Sequence, residues 1–208
     1  MGIQQFMASQ FRQPKGWFGS QVLSRVMNRV NRQIIDTTLT LLKLDAQHRV
    51  LEIGFGGGMA LVLLAKRVNR GVVSGVDISS DMVGRAERRL HREIAEGRVR
   101  VQLGDISHLP YEDAVCDRVF TINTIYFWSD APRGMAEMRR VLKSGGLAAV
   151  SLRSGDKMRK YAVTKHNFRL FSADEVADLM REAGFRDVQV DHRDRNKWTD
   201  QIIVLGTR

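Results

Sequence analysis

Between Val50 and Gly58 the chain reads VLEIGFGGG: a short apolar run, an acid near its end, then Gly54, Gly56, Gly57 and Gly58. MALVLLAKRV follows at once and is apolar enough and long enough to be a helix. Strand, glycine loop and helix in that order make the nucleotide-binding corner of an α/β sheet, where backbone N–H groups approach a ligand closely. The spacing narrows the choice of ligand. A dinucleotide fingerprint G-x-G-x-x-G, counted from Gly54, puts its third glycine where this chain has Met59. The pattern is E-x-G-x-G-x-G instead, carried by Glu52, Gly54, Gly56 and Gly58. An acid two residues before the first glycine suits a ligand with a free amino group, because a carboxylate pairs with an ammonium.

The rest of the chain keeps the rhythm that the corner sets. Ser20 is placed to cap a helix over roughly 21 to 43, with Val22, Val26, Val30 and Ile34 recurring every fourth residue. VVSGVD ends a second apolar strand on Asp77, and Ser80 is placed to cap the helix behind it. There Met82, Val83, Ala86, Leu90 and Ile94 share one face, and Arg85, Arg88, Arg89 and Arg92 share another, read as solvated. VRVQLGD gives a third strand closing at Asp105, and CDRVFTIN a fourth. A helix over APRGMAEMRRVLKSGG then stops at Gly145–Gly146, and LAAVSLR is the fifth strand. After Arg153 the alternation breaks into a polar, basic and aromatic insert. A helix with the capping-box spacing Ser172 to Glu175 follows, then two final strands.

Strands alternating with helices predict a doubly wound, Rossmann-like α/β fold with a seven-stranded, mostly parallel sheet. Two closing strands with no helix between them predict an antiparallel C-terminal edge strand. At 208 residues the chain suits a single domain: an N-terminal helical arm and helix over 1–45, and a core over 46–208. Residues 1–19 carry Phe6, Phe11, Trp17 and Phe18 among polar residues, and read equally as a lid over the site or as a segment docked on the core.

Composition mainly excludes. No apolar run reaches the ~18 to 20 residues that span a bilayer, and the N-terminus lacks a secretory apolar region. Cys116 is the sole cysteine, set among apolar residues, which rules out an internal disulfide and a cysteine cage for a metal. A cytoplasmic protein is expected. The net charge of +10 is unusual, but the basic residues are dispersed among acids and form no tail, so a nucleic-acid partner is not the leading expectation.

From Val50 to about Ser151 the chain resembles the small-molecule, methyltransferase-domain-11-like branch of class I S-adenosylmethionine (SAM)-dependent methyltransferases. VLEIGFGGG is similar to the first motif, GVDIS with Asp77 to the second and GDISHLP with Asp105 to the third. CDRVFTINTIYFW is similar to the fourth, and RRVLKSGGLAAVS to the segment after the core motifs. The resemblance implies SAM as cofactor, S-adenosylhomocysteine as product and no metal. It implies a cofactor site built from Glu52, Gly54, Gly56, Gly58, Asp77, Ile78, Asp105, Ile106 and Asn123. In it Asp77 accepts the ribose hydroxyls and Asp105 the adenine amine, the backbone of Ile106 reads a ring nitrogen, and Ile78 packs on the ring. A nicotinamide enzyme would explain Asp77 but leave Asp105 without a task.

The acceptor side is expected in the loop after strand four, NTIYFWSD, and in the insert after strand five. Tyr126 and His166 are the candidate catalytic groups, and Trp17, Thr124, Tyr126 and Trp128 the candidate substrate contacts. Asn123 and Tyr126 have the spacing of the Asn-Pro-Pro-Tyr motif of amino-group methyltransferases, but Thr124 and Ile125 replace the two prolines that would stiffen it. The expected activity is methyl transfer to O, N, S or C of a small molecule by a monomer or homodimer. The alternatives are an RNA methyltransferase, a lipid- or quinone-type methyltransferase, and a non-catalytic SAM-binding partner subunit.

Overall fold

A computed structural model of the chain describes residues 32–159, 169–194 and 200–208. The first described element is helix α1, residues 32–41, so the upstream part of the helix expected from residue 21 and the whole N-terminal arm lie outside the described residues. The corner follows as strand β1 (Arg49–Ile53), the glycine loop and helix α2 (Met59–Arg67). Next come β2 (Val72–Asp77), α3 (Ser80–Arg89), α4 (His91–Ala95), β3 (Val99–Leu103) and β4 (Cys116–Ile122). A 3-10 turn (Ile125–Phe127) leads to α5 (Ala131–Val141), β5 (Leu142–Leu152) and the short α6 (Gly155–Met158). Helix α7 (Ala173–Glu182) and strands β6 (Arg186–Asp194) and β7 (Asp200–Thr207) complete the chain.

The seven strands form one sheet in the order β3-β2-β1-β4-β5-β7-β6. β1 to β5 pair in parallel, and β7 runs antiparallel to both of its neighbours. The antiparallel strand is the C-terminal one, and it slots between β5 and β6, leaving β6 outermost. Strands β6 and β7 pair antiparallel with Asp194 opposite Asp200, whereas a parallel pair would need a crossover of a dozen or more residues.

Strand alternation sends successive side chains to two apolar layers. One layer joins Val50, Phe120, Ala149 and Ile203 to α1, α2 and α3 through Leu39, Leu61, Leu64 and Met82. The other joins Leu51, Val119, Val150 and Val204 to α5 and α7 through Met135, Met138, Val176 and Met180. The capping box on α7 is present, with Ser172 Oγ accepting the Glu175 N–H and Glu175 accepting the Ser172 N–H. Such a cap contributes about 1 kcal/mol.

Three boundaries differ from expectation. The N-cap of α3 is Ser79 rather than Ser80, and its side chain makes no capping bond. The run 80–95 is split at Leu90 into α3 and α4. Helix α5 stops at Val141 instead of at the glycine pair. Gly145 and Gly146 lie inside β5, next to a register shift opposite Cys116 and Arg118, where a Cβ on Gly146 would press on backbone oxygens of Lys143 and Asp117. The glycines therefore serve a bulge in a strand rather than a helix stop.

Candidate active site

The order of strands reverses between β1 and β4, and in open α/β sheets ligands bind outside the carboxyl ends of the strands at that point. A cleft opens there, lined by the ends of β1, β2 and β4 and by the loops that follow them. Among the described residues, the charged ones lining it are Glu52, Asp77 and Asp105.

Glu52 stands one residue before the end of β1. Alternation puts its side chain on the Val50 face, beneath α1 and α2. It is 4% exposed, and Oε2 has no hydrogen-bond partner among the described residues. Burial, and then the neighbouring Asp77 carboxylate, push its pKa up to about 8. A buried carboxylate with an orphaned oxygen is costly unless something cationic completes it.

Asp77 ends β2 and organises the glycine loop. Its Oδ2 accepts the Gly56 N–H at 2.8 Å and its Oδ1 the Ser79 N–H at 2.9 Å. Burial raises its pKa, and those backbone donors oppose the rise. The Ile78 backbone N–H also bonds to this carboxylate, which therefore faces three backbone donors. Gly54 has φ +71°, and a Cβ there would overlap Thr124 Cγ2, so both the turn and the close approach require glycine. Phe55 anchors the loop from below: a Cβ on Gly75 of β2 would come within 2.7 Å of its ring. Sequence reading missed Phe55 and Gly75 as a pair. An aromatic residue inside a glycine loop, matched to a glycine inside a buried strand, was the available signal.

Past β3, Asp105 Oδ1 accepts from the backbone N–H and the hydroxyl of Ser107 at 2.8 and 2.7 Å. Ile106 and Trp128 pack together on Gly134 of α5, where a Cβ would meet Trp128 Cε3 at 2.6 Å and Ile106 Cγ1 at 3.0 Å. Ile78 is 40% exposed on the cleft wall, an unusual position for so large an apolar side chain.

The loop after β4 brings Asn123, Thr124 and Trp128 to the cleft. Asn123 adopts φ +57° and donates its backbone N–H to the Ser151 carbonyl. Trp128 Nε1 donates to Thr124 Oγ1 at 3.1 Å, and Thr121 Oγ1 donates to the Ile53 carbonyl at 2.9 Å. The Thr124 hydroxyl proton is therefore directed to Thr121 Oγ1, and the loop locks to β1 and β4.

Tyr126, expected as a catalytic group and substrate contact, stands behind the cleft wall. It is buried and absent from the cleft wall, and its hydroxyl accepts the Arg153 N–H at 2.6 Å and lies 3.2 Å from the Arg153 carbonyl. Burial drives its pKa well above the ordinary tyrosine value. It ties the loop to the end of β5, and its hydroxyl lies 3.4 Å from Oδ1 of Asn123, which lines the cleft. The candidates His166 and Trp17 lie outside the described residues. Ile35 of α1, which sequence reading treated as a packing residue, lines the cleft with Glu52.

Residues 51–150 match the family model described as a methyltransferase domain. The chain is 27% identical over 165 residues to the uncharacterized methyltransferase YdaC of Bacillus subtilis, covering 79% of this chain and 86% of that protein. It is 29% identical to the malonyl-acyl-carrier-protein O-methyltransferase of Geobacter sulfurreducens, over 83% of this chain and 69% of that one. Among solved structures, a SAM-dependent methyltransferase from Aquifex aeolicus superposes with TM-score 0.70 at 23% identity, covering 83% of this chain and 88% of that chain. The methyltransferase crystallised with the Trm112 activator of Haloferax volcanii gives TM-score 0.76 at 18% identity, over 88% and 92%. The chain thus resembles the class I SAM-dependent methyltransferases in its motifs, in the relatives it matches and in its fold.

Proposed function

We propose that the protein transfers the methyl group of SAM to a nucleophilic atom of a small molecule. The observation that most supports a SAM site is Glu52, a buried carboxylate with an orphaned oxygen at the mouth of β1. In this reading Glu52 takes the amino group of the cofactor's amino-acid part, and the backbone of Gly54, Gly56 and Gly58 lets that part lie close. Asp77 receives the ribose hydroxyls. Asp105 receives the exocyclic amine of the adenine, with the backbone of Ile106 reading a ring nitrogen and the Ile78 side chain against a ring face. When bound, SAM supplies an electrophilic methyl group on a positively charged sulfur.

The chain's own work is binding, orientation and water exclusion, which together supply roughly 7 to 11 kcal/mol in reactions of this kind. Asn123, Thr124 and Trp128 border the cleft where an acceptor would approach, and the Trp128 ring is placed to shape that wall. Relatives named for malonyl-acyl-carrier-protein and 27-O-demethylrifamycin methylation support a small or carrier-bound acceptor.

Two measurements test the reading. Calorimetric titration with SAM and S-adenosylhomocysteine should show saturable one-site binding of both. Incubation with SAM labelled on its methyl group and a fractionated extract should place label in small metabolites. Failure to bind either nucleoside sinks the cofactor assignment, and label confined to RNA, to lipid or to protein other than an acyl-carrier protein sinks the acceptor class.

A further inference from the structure

We infer that Thr38 of α1 and Ser151 of β5 are positioning residues for cofactor uptake: their hydrogen bond sets where α1 lies along the sheet and so holds Ile35 over Glu52. The inference rests on the reading of the cleft as the SAM site. Both hydroxyl-bearing residues are completely buried, and their oxygens lie 2.7 Å apart. Thr38 donates to the Ile34 carbonyl at 2.6 Å, so the bond between the side chains is donated by Ser151 Oγ to Thr38 Oγ1.

The surroundings are apolar. Ile35 and Leu39 of α1, and Leu42 just past its end, pack with Phe120, Ala149 and Ile203, contacts that resist separation but give little resistance to sliding. Among the described residues, the other ties of this segment are the Arg118 guanidinium on the Leu42 and Lys43 carbonyls and the exposed Asp36–Arg67 ion pair. The first acts beyond the far end of the helix, and the second is half in solvent. Thr38–Ser151 is the buried directional contact on the turn that carries Ile35. Ser151 serves the cleft a second time, since its carbonyl accepts the Asn123 N–H.

Ile35 matters because Glu52 is kept dry. The titratable groups sharing the cleft are Asp77 from β2 and Asp105 from the loop after β3, while α1, α2 and β4 present only uncharged residues to it. A displaced Ile35 admits water to Glu52. The carboxylate then ionises at lower pH, and its pairing with an ammonium weakens through solvent screening.

The test is calorimetric SAM titration of the full chain across about pH 6 to pH 9, comparing wild type with Thr38→Val, Thr38→Ser and Ser151→Ala. Thr38→Val and Ser151→Ala should each weaken SAM roughly five- to tenfold at high pH. Each should also move the midpoint of the affinity–pH curve down by about one unit. Thr38→Ser should preserve both quantities, and Thr38→Val combined with Ser151→Ala should be no worse than the poorer single variant. Ser151→Ala leaves the Thr38–Ile34 bond intact, so it carries the test should Thr38→Val fold poorly. Unchanged affinity and midpoint in Ser151→Ala, with only melting temperature lowered, overturns the inference. A wild-type chain that takes up no SAM overturns the cofactor reading beneath it, and the inference falls with it.

Discussion

On the β1–β2 side of the cleft, Glu52 keeps a buried carboxylate oxygen without a partner among the described residues, and Asp77 accepts from the backbone N–H groups of Gly56, Ile78 and Ser79. On the β4 side, the loop from Asn123 to Trp128 spends its polar groups on its own framework: Trp128 on Thr124, Thr124 on Thr121, Tyr126 on Arg153. Both sides are rich in groups that a sequence reader would nominate as functional. The difference teaches that a polar side chain already satisfied by its own fold positions neighbours, whereas one left unsatisfied at a cost in stability is reserved for a ligand.

Removing Asp77 attacks the first half of that contrast most directly. Asp77→Ala should weaken SAM binding by about a hundredfold, because the ribose loses its acceptor and the Gly56 and Ser79 N–H groups lose theirs. Circular dichroism should show the fold retained, and near-native affinity would break the assignment.

Glu52→Gln should weaken SAM by roughly tenfold to a hundredfold at pH ~8.5, where the wild-type carboxylate is ionised, and less at pH ~6. The sign on stability is opposite. A carboxyl whose pKa rises to about 8 on folding lowers stability as pH climbs from its unfolded value toward 8. Ligand-free Glu52→Gln should therefore gain melting temperature relative to wild type as pH rises across that window. His48, with its pKa lowered by burial, acts in the opposite direction, so the difference between the two proteins is the quantity to read.

Tyr126→Phe probes the other side. The Arg153 N–H loses its buried acceptor, costing about 1 to 3 kcal/mol of stability, while turnover at saturating SAM should fall by less than about threefold. A turnover loss of a hundredfold with unchanged melting temperature would restore Tyr126 to the chemistry. The smallest effect is expected far from the cleft. Ser172→Ala removes the capping box of α7 and should cost about 1 kcal/mol without altering SAM affinity.

Much of the β1–β2 side of the cleft was legible in the chain because its residues are tied to local backbone geometry. An acid at the end of an apolar run, glycines at alternate positions and Asp77 and Asp105 closing successive strands all describe turns and strand ends. Periodicity places such features without knowledge of the neighbours. The acceptor half was legible as a location but not as a set of roles. Tyr126, Thr124 and Trp128 advertise chemistry, yet whether a hydroxyl meets a ligand or the Arg153 backbone depends on a strand nearly thirty residues away.

Sequence alone determined the alternation of strands and helices, the site at the β1–β2 corner and the residues around the glycines, since these follow from nearest-neighbour sterics and from the two periods of regular structure. Tertiary structure decided that β7 lies between β5 and β6, that Phe55 seats on Gly75, that Ile35 borders the cleft, and that Thr38 finds Ser151. Those outcomes are contacts between segments far apart in the chain, set by packing and by which buried donors and acceptors come within reach of one another.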